Sequence, residues 1–267
     1  MKNVFDMLRL DGKIAVITGA RQGLGFDMAS ALAEAGATIV ITSRDTDGAS
    51  ETAKKLSELY GVKSYAVAID QTDYASVEKG IEEIIAKEGK IDILVNNAGG
   101  GSGKSTGYII DRDPDVIKSL IDTNLTGMIF CCKAVAKYMI EKQYGKIINI
   151  GSIAGIVGRN RQMYYKSNKM QQPIDYAASK GGVISATRDL EGLLSPSGIC
   201  VNSISPGGFY RGEPEEFVKL YSEETPLGRM GTMGKDIKGA TLLLASEAGD
   251  YITGQNIVVD GGFSIWK

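Results

Sequence analysis

The chain has 267 residues, 43% of them hydrophobic and 23% charged, with a formal net charge of -2 and no histidine. That length buries a sizeable core, as one α/β domain or two smaller ones. The near-neutral balance gives nucleic acid and anionic membranes no electrostatic hold, and the missing histidine removes the Ser-His-Asp triad and the usual zinc ligands, so no metal site is expected. No stretch is apolar enough to span a bilayer. Met1–Leu10 carries Asp6 and Arg9 among its apolar residues and does not read as an export signal. The three cysteines, Cys131, Cys132 and Cys200, form no Cys-x-x-Cys pair. Their odd count predicts reduced thiols in a cytoplasm, with Cys131 and Cys132 packed inside an apolar helical run.

In chain order, short apolar runs alternate with helix-length periodic ones. Strands are predicted at Ile14–Thr18, Thr38–Thr42, Ser64–Ile69, Ile91–Val95, Lys146–Ile150, Ile199–Ile204 and Asn256–Val259. Helices are predicted from a glycine turn to Ala35, over Gly48–Tyr60 and Tyr74–Lys87, and from Pro114 to Lys142 with a break near Asn124. Two more are predicted over Asp175–Leu194 and near Gly234–Ser246. Repeated βαβ units without a linker between halves predict an α/β fold over 1–267, a single doubly wound Rossmann-type domain. Its sheet would be parallel and seven-stranded, with helices on both faces.

Several motifs carry chemistry. Tyr176-Ala-Ala-Ser-Lys180 places a phenol and an ammonium four apart, on one helix face. An unperturbed phenol titrates near ~10, and a neighbouring cation would draw it toward neutral pH. With no histidine available, acid–base chemistry must use such a group. Thr18-Gly19-Ala20-Arg21-Gln22-Gly23-Leu24-Gly25 lies between the first strand and first helix, where glycines admit a diphosphate and the helix start supplies free N–H groups. Its spacing departs from the commoner Gly-x-Gly-x-x-Gly. Asn96-Asn97-Ala98-Gly99 follows the fourth strand at the sheet's carboxyl edge, where doubly wound folds bind ligands; a plain turn would favour the same residues. Asn149-Ile150-Gly151-Ser152 ends the fifth strand, and Ser152 could donate to a carbonyl oxygen or act only as a cap.

Together these residues resemble the short-chain dehydrogenase/reductase family, from Lys13 to Val259-Asp260-Gly261-Gly262. Thr18-Gly19-x-x-x-Gly23-x-Gly25, Asn96-Asn97-Ala98-Gly99, Asn124, Ser152, Tyr176-x-x-x-Lys180 and Pro206-Gly207 recur in the family's order. The resemblance implies a nicotinamide-dependent oxidoreductase acting on CH–OH groups of a small molecule, as a homotetramer or homodimer. Tyr176 would be the general acid/base and Ser152 would hold the substrate oxygen. Lys180 would bind the nicotinamide ribose and lower the pKa of Tyr176, while Asn124 would help organise a relay water. Cofactor contacts are expected from Gly19, Arg21, Gln22, Gly23, Leu24, Gly25, Asp70, Gln71, Asn97, Ala98, Gly99, Tyr176, Lys180, Pro206 and Gly207.

An acidic residue ending the second strand would hold the adenine ribose and repel a 2′-phosphate. Here Ser43 and Arg44 stand there, a donor and a planar cationic fork, with Arg21 as further positive charge. NADP(H) is therefore expected over NAD(H), with Asp45 the residue that would support NAD(H). The sequence departs from the family in two places. Between Ser152 and Tyr176 lie 23 residues, more than the family usually has. The extra segment, Arg159–Gln172, reads as a lid over a hydroxyl-rich or anionic substrate, or equally as a solvated insertion or oligomer contact. The run after Pro206-Gly207 also lacks a threonine often found there. Thr225-Pro226-Leu227-Gly228-Arg229-Met230 and the tail Gln255–Trp266 resemble gluconate 5-dehydrogenases and 3-oxoacyl-carrier-protein reductases. A polyol, sugar acid or keto-sugar is the expected substrate, with an acyl thioester as the alternative. A silent cofactor-binding regulator is the reading from another class; it would need no tuned phenol.

Overall fold

The computed structural model describes residues 2–101 and 106–266. Its strands are β1 (Ile14–Thr18), β2 (Thr38–Ser43), β3 (Ser64–Ala68), β4 (Ile93–Asn96), β5 (Gly145–Ile150), β6 (Ile199–Pro206) and β7 (Asn256–Val259). They form one seven-stranded sheet in the order β3-β2-β1-β4-β5-β6-β7, with every pairing parallel. The helices are α1 (Val4–Met7), α2 (Gly23–Glu34), α3 (Thr46–Tyr60), α4 (Tyr74–Glu88), α5 (Pro114–Ile121), α6 (Gly127–Lys142), α7 (Gln162–Lys166), α8 (Ile174–Leu194), α9 (Glu215–Glu223) and α10 (Lys238–Ala245). This is the expected doubly wound Rossmann-type architecture.

Alternation along the strands splits the core into two layers. Ala15 and Ile17 of β1 pack with Ile39, Ile41, Met28, Leu32, Leu56 and Leu244, on the face covered by α2, α3 and α10. Ile14 and Val16 face the other way and pack with Val40, Leu94, Ile81, Val135 and Val183, under α4, α6 and α8. Each fully buried aliphatic side chain contributes about 1.5–3 kcal/mol, so two such layers hold the sheet edge rigidly. Cys131 and Cys132 are buried in the second layer, as expected.

Helix ends follow local chemistry. Asp45 caps α3 by accepting from Gly48 N, Asp73 caps α4 through Ala75 N, and Asp113 precedes Pro114 at the start of α5. The sequence reading has no counterpart of α1 or α9, and the structure differs from it in two further places. Instead of a break near Asn124, the chain stays helical through a π turn over Asp122–Thr126. A π turn inserts one residue without ending the helix, so no Pro or Gly marks it in the sequence. Segment 159–172, expected to lack regular structure, contains α7. Its buried Met163 and Tyr164 join Phe217, Tyr221 and Phe263 in a third apolar cluster, and one helical turn is too short to show a period.

A buried ion pair joins α5 to α8. Arg112, just before α5, donates from Nε to Asp175 Oδ1 at 3.1 Å and from Nη2 to Oδ2 at 2.6 Å, and from Nη1 to Thr106 O at 3.2 Å. Both side chains are essentially inaccessible to water, at 0% and 1%. Removing one partner strands the other charge. Arg112→Met is expected to cost about 3–5 kcal/mol of stability in a denaturant titration, and Arg112→Met/Asp175→Leu should recover most of it. A single-variant loss within the ~1 kcal/mol of an exposed pair would contradict this account.

Candidate active site

The strand order reverses between β1 and β4, so the loops leaving these strands diverge and open a crevice at the carboxyl edge. Thr18, ending β1, clamps that edge. Its Oγ1 accepts from Asn97 N at 3.0 Å and Ala98 N at 2.9 Å, while Asn97 Nδ2 donates to Thr18 O at 2.9 Å and Gly19 O at 3.1 Å. Gly19 has φ +65°, and a Cβ there would stand 2.7 Å from Ala98 Cα. Only glycine allows the two loops to touch. Gln22, the residue capping α2, makes no side-chain cap bond, which leaves the first N–H groups of α2 facing the crevice for an anion.

Two cavities occupy the crevice. One, of about 460 Å³, is lined by Thr18, Gly19, Ser43, Arg44, Asp70, Gln71, Ala98, Gly99 and Asn124 among others. The other, of about 700 Å³, brings Gln22, Gly23, Leu24, Gly25 and Asn97 together with Ser152, Tyr176, Lys180, Pro206 and Gly207. Arg21 stands outside both linings. It pairs with Asp45 Oδ2, whose Oδ1 caps α3, so the positive charge expected from Arg21 is offset by that carboxylate. Both Asp45 carboxylate oxygens have a partner in this arrangement. Asp70 accepts from the Thr72 hydroxyl at 2.7 Å and from Thr72 N at 3.0 Å, bonds that hold its carboxyl below the usual range. Gln71 donates to Ala98 O and Thr123 O at 3.1 and 2.6 Å, tying two loops together.

Lys180 and Tyr176 project from α8 toward the end of β5. Lys180 Nζ donates to Ile150 O at 2.6 Å, and the side chain is 5% exposed. Burial lowers its pKa to about 8. Its Nζ lies 5.9 Å from the Tyr176 ring centroid. The expected lowering of the Tyr176 pKa is not what this site shows. Burial is the largest influence and raises it, against a hydrogen bond with Ser152 and the charges of Arg159 and Arg211. The reason is that the lysine's proton is directed to a carbonyl while the half-buried phenol is partly desolvated. Ser152 Oγ also accepts from Ala154 N at 3.1 Å. Asn124 sits in the π turn; its Oδ1 accepts from Gly100 N at 2.8 Å, and its Nδ2 donates to Gly100 O at 2.8 Å and Ser179 Oγ at 3.4 Å.

Several contributors were not singled out from sequence. Thr187 takes a hydrogen bond from Asn149 Nδ2 at 3.0 Å, and Asn149 Oδ1 accepts from Asn96 Nδ2 at 2.8 Å, a buried ladder beneath the crevice. Asp175, adjacent to Tyr176, carries no motif; only a charged residue at an otherwise apolar helix start could have flagged it. A third cavity, of about 220 Å³, shares Ser152 and Tyr176 with the second and is walled by residues of segments 159–172 and 207–230 and by Phe263.

The short chain dehydrogenase family profile matches residues 13–212. A 3-oxoacyl-[acyl-carrier-protein] reductase FabG of Aquifex aeolicus is 34% identical, with 96% of this chain and 98% of that protein covered. An NADP-dependent mannitol dehydrogenase of Hypocrea jecorina is 32% identical, with 98% and 96% covered. A gluconate 5-dehydrogenase from Burkholderia cenocepacia, solved with NADP and tartrate, superposes with a TM-score of 0.89 at 34% identity, covering 98% of this chain and 99% of that one.

The depressed Lys180 pKa has a stability consequence. Below about 8 the folded protein holds a buried charge at full cost. Between about 8 and the ordinary 10.5 the folded form has lost that proton while the unfolded chain still binds it, so stability rises with pH. Relative to Lys180→Met, the unliganded wild type should gain up to about 3 kcal/mol across that window. Paired denaturant titrations at stepped pH check this; a constant difference would contradict it.

Proposed function

We infer the function from the premise that this chain belongs to the short-chain dehydrogenase family and is an oxidoreductase of alcohol and ketone groups. We propose that it interconverts a secondary alcohol and a ketone with NADP(H), on a polyol, sugar acid or keto-sugar. The observation that carries this is the meeting of Ser152, Tyr176 and Lys180 with the glycine turn in one cleft.

The cleft suits a dinucleotide. Gly19 and Ala98 approach too closely for any side chain, the uncapped start of α2 offers N–H groups to a diphosphate, and the buried Lys180 offers a donor beside it. Ser43 and Arg44 border the other cavity, and Asp45 is held by Arg21 and the α3 cap. A 2′-phosphate would meet the Arg44 fork there rather than a carboxylate. The bound nicotinamide would supply or accept the hydride. Ser152 would hold the substrate oxygen, and Tyr176 would exchange its proton. Asn124, through Gly100 and Ser179, would keep the loop and helix in register. As a phenol Tyr176 can donate to a carbonyl, and as a phenolate it can take the proton of an alcohol. We further propose assembly as a homotetramer or homodimer in the cytoplasm; among the described residues no helix is long and apolar enough to cross a membrane.

A second reading, reduction of a 3-oxoacyl thioester, rests on the similarity to FabG of Aquifex aeolicus. A panel of polyols, sugar acids, keto-sugars and acyl thioesters, followed by nicotinamide absorbance, separates the two.

Tyr176→Phe should abolish turnover while cofactor affinity stays within a few-fold of wild type. In the wild type, alcohol oxidation should speed up and ketone reduction slow as pH rises above neutrality; opposite slopes, or an active phenylalanine variant, would defeat the mechanism. Arg44→Ala should weaken NADP(H) by about 1.5–3 kcal/mol, the range for hydrogen bonds to charged groups, and leave NAD(H) nearly unchanged in fluorescence titrations. A wild-type preference for NAD(H) would refute the role given to Arg44.

A further inference from the structure

The third cavity is polar on one wall and aromatic on the other. Tyr164, Phe217, Tyr221 and Phe263 form a continuous run of ring contacts with centroid separations of 5.3, 6.0 and 4.5 Å, the last pair stacked. Against that low-dielectric wall stands Arg159, the first residue of the long connection between the Ser152 and Tyr176 elements. Its Nη2 donates to Pro173 O at 2.9 Å. Its Nη1 is buried and makes no close hydrogen bond, with the Tyr164 hydroxyl as the polar neighbour that favours the guanidinium's charge. Among the described residues no carboxylate lies within 4.0 Å of Arg159. Of the charges nearby, Lys169 pairs with Glu213 at 3.7 Å, Arg161 Nη1 donates to Gln172 O at 2.8 Å, and Arg211, a more exposed cation, lines the same cavity.

A half-buried guanidinium without a counter-ion is unfavourable, and burial does push the Arg159 pKa down. The group lies close to the phenol, with its central carbon 6.0 Å from the Tyr176 ring centroid. Gln172 Oε1, on the wall shared by the second and third cavities, is also buried without a partner. Native interiors seldom leave such donors and acceptors unsatisfied. Here the two residues that carry them line, together with Tyr176, one cavity of small-molecule scale.

We propose that Arg159 is the receptor for a substrate carboxylate and that Gln172 Oε1 accepts from a substrate hydroxyl. The substrate class is then a compact hydroxy acid or its keto acid. A planar guanidinium offers a carboxylate a paired, charge-assisted contact that no neutral polyol can take up. At about 220 Å³ the cavity falls below the roughly 300–1,000 Å³ of drug-sized ligand sites, which suits a short acid and not an enclosed long acyl chain. The carboxylate is a handle and stays unchanged. The proposal rests on Tyr176 being the proton-exchanging group of an alcohol–ketone reaction, as set out above.

Binding, rather than turnover, tests it. The protein saturated with NADP⁺ is titrated calorimetrically with tartrate, D-gluconate and galactarate, and with the neutral alcohols of equal chain length, erythritol, sorbitol and galactitol. At least one acid should bind ten-fold or more tighter than its neutral counterpart. Arg159→Gln should erase that preference, Arg159→Lys should keep part of it, NADP⁺ affinity should be unchanged in both, and the melting temperature of Arg159→Gln should be no lower than that of the wild type. No acid preference in the wild type, or a preference that survives Arg159→Gln, overturns the proposal. Failure of the alcohol–ketone reading registers differently, as an Arg159-dependent preference for acids in a protein that turns none of them over.

Discussion

Lys180 donates its ammonium to the Ile150 carbonyl at 2.6 Å, away from water. That bond ties the middle of α8 to the last residue of β5. Because Tyr176 stands four residues earlier on the same helix, it also fixes where the phenol lies relative to Ser152, two residues beyond Ile150. A buried ammonium with a single strong acceptor cannot wander without losing it, since leaving the charge unpaired costs several kcal/mol. The pair Arg112–Asp175 acts on the same helix from its other end, one residue before Tyr176. The helix is thus held on both sides of the phenol by charged groups that water does not reach.

Burial is the common cause of the site's electrostatics. It lowers the Lys180 and Arg159 pKa values and raises that of Tyr176. All three shifts favour the neutral form, and all three groups border space that a ligand would fill. A bound anion or a dipolar substrate would change that balance by giving the cations a partner. The site is in this sense built for occupancy, with Lys180 and Arg159 each held by a backbone carbonyl and not by a carboxylate.

The relatives differ in what they act on by name, an acyl-carrier-protein thioester, mannitol and gluconate, while covering nearly the whole chain at similar identity. Shared architecture therefore carries the hydride chemistry, and the substrate is read by the segments that leave the sheet. In this chain the 159–172 connection and the stretch around α9 meet through Tyr164 and Phe217 beside the third cavity.

The sequence by itself determined the sheet, its seven strands and the doubly wound order of layers, because buried parallel strands must be continuous apolar runs and helices must show their own period. It also placed Gly19, Asn97, Ser152, Tyr176 and Lys180 at strand ends and on one helix face, since turn chemistry and i,i+4 spacing are local properties. Only the tertiary structure decided that the helix through Asn124 continues by a π turn, that Arg21 spends its charge on Asp45, and that Arg112 meets Asp175 across 63 residues of chain. Only it showed that the phenol's pKa is governed by desolvation and not by the lysine beside it in sequence. Partners distant along the chain leave no periodic trace, and the dielectric around a side chain is set by everything folded over it.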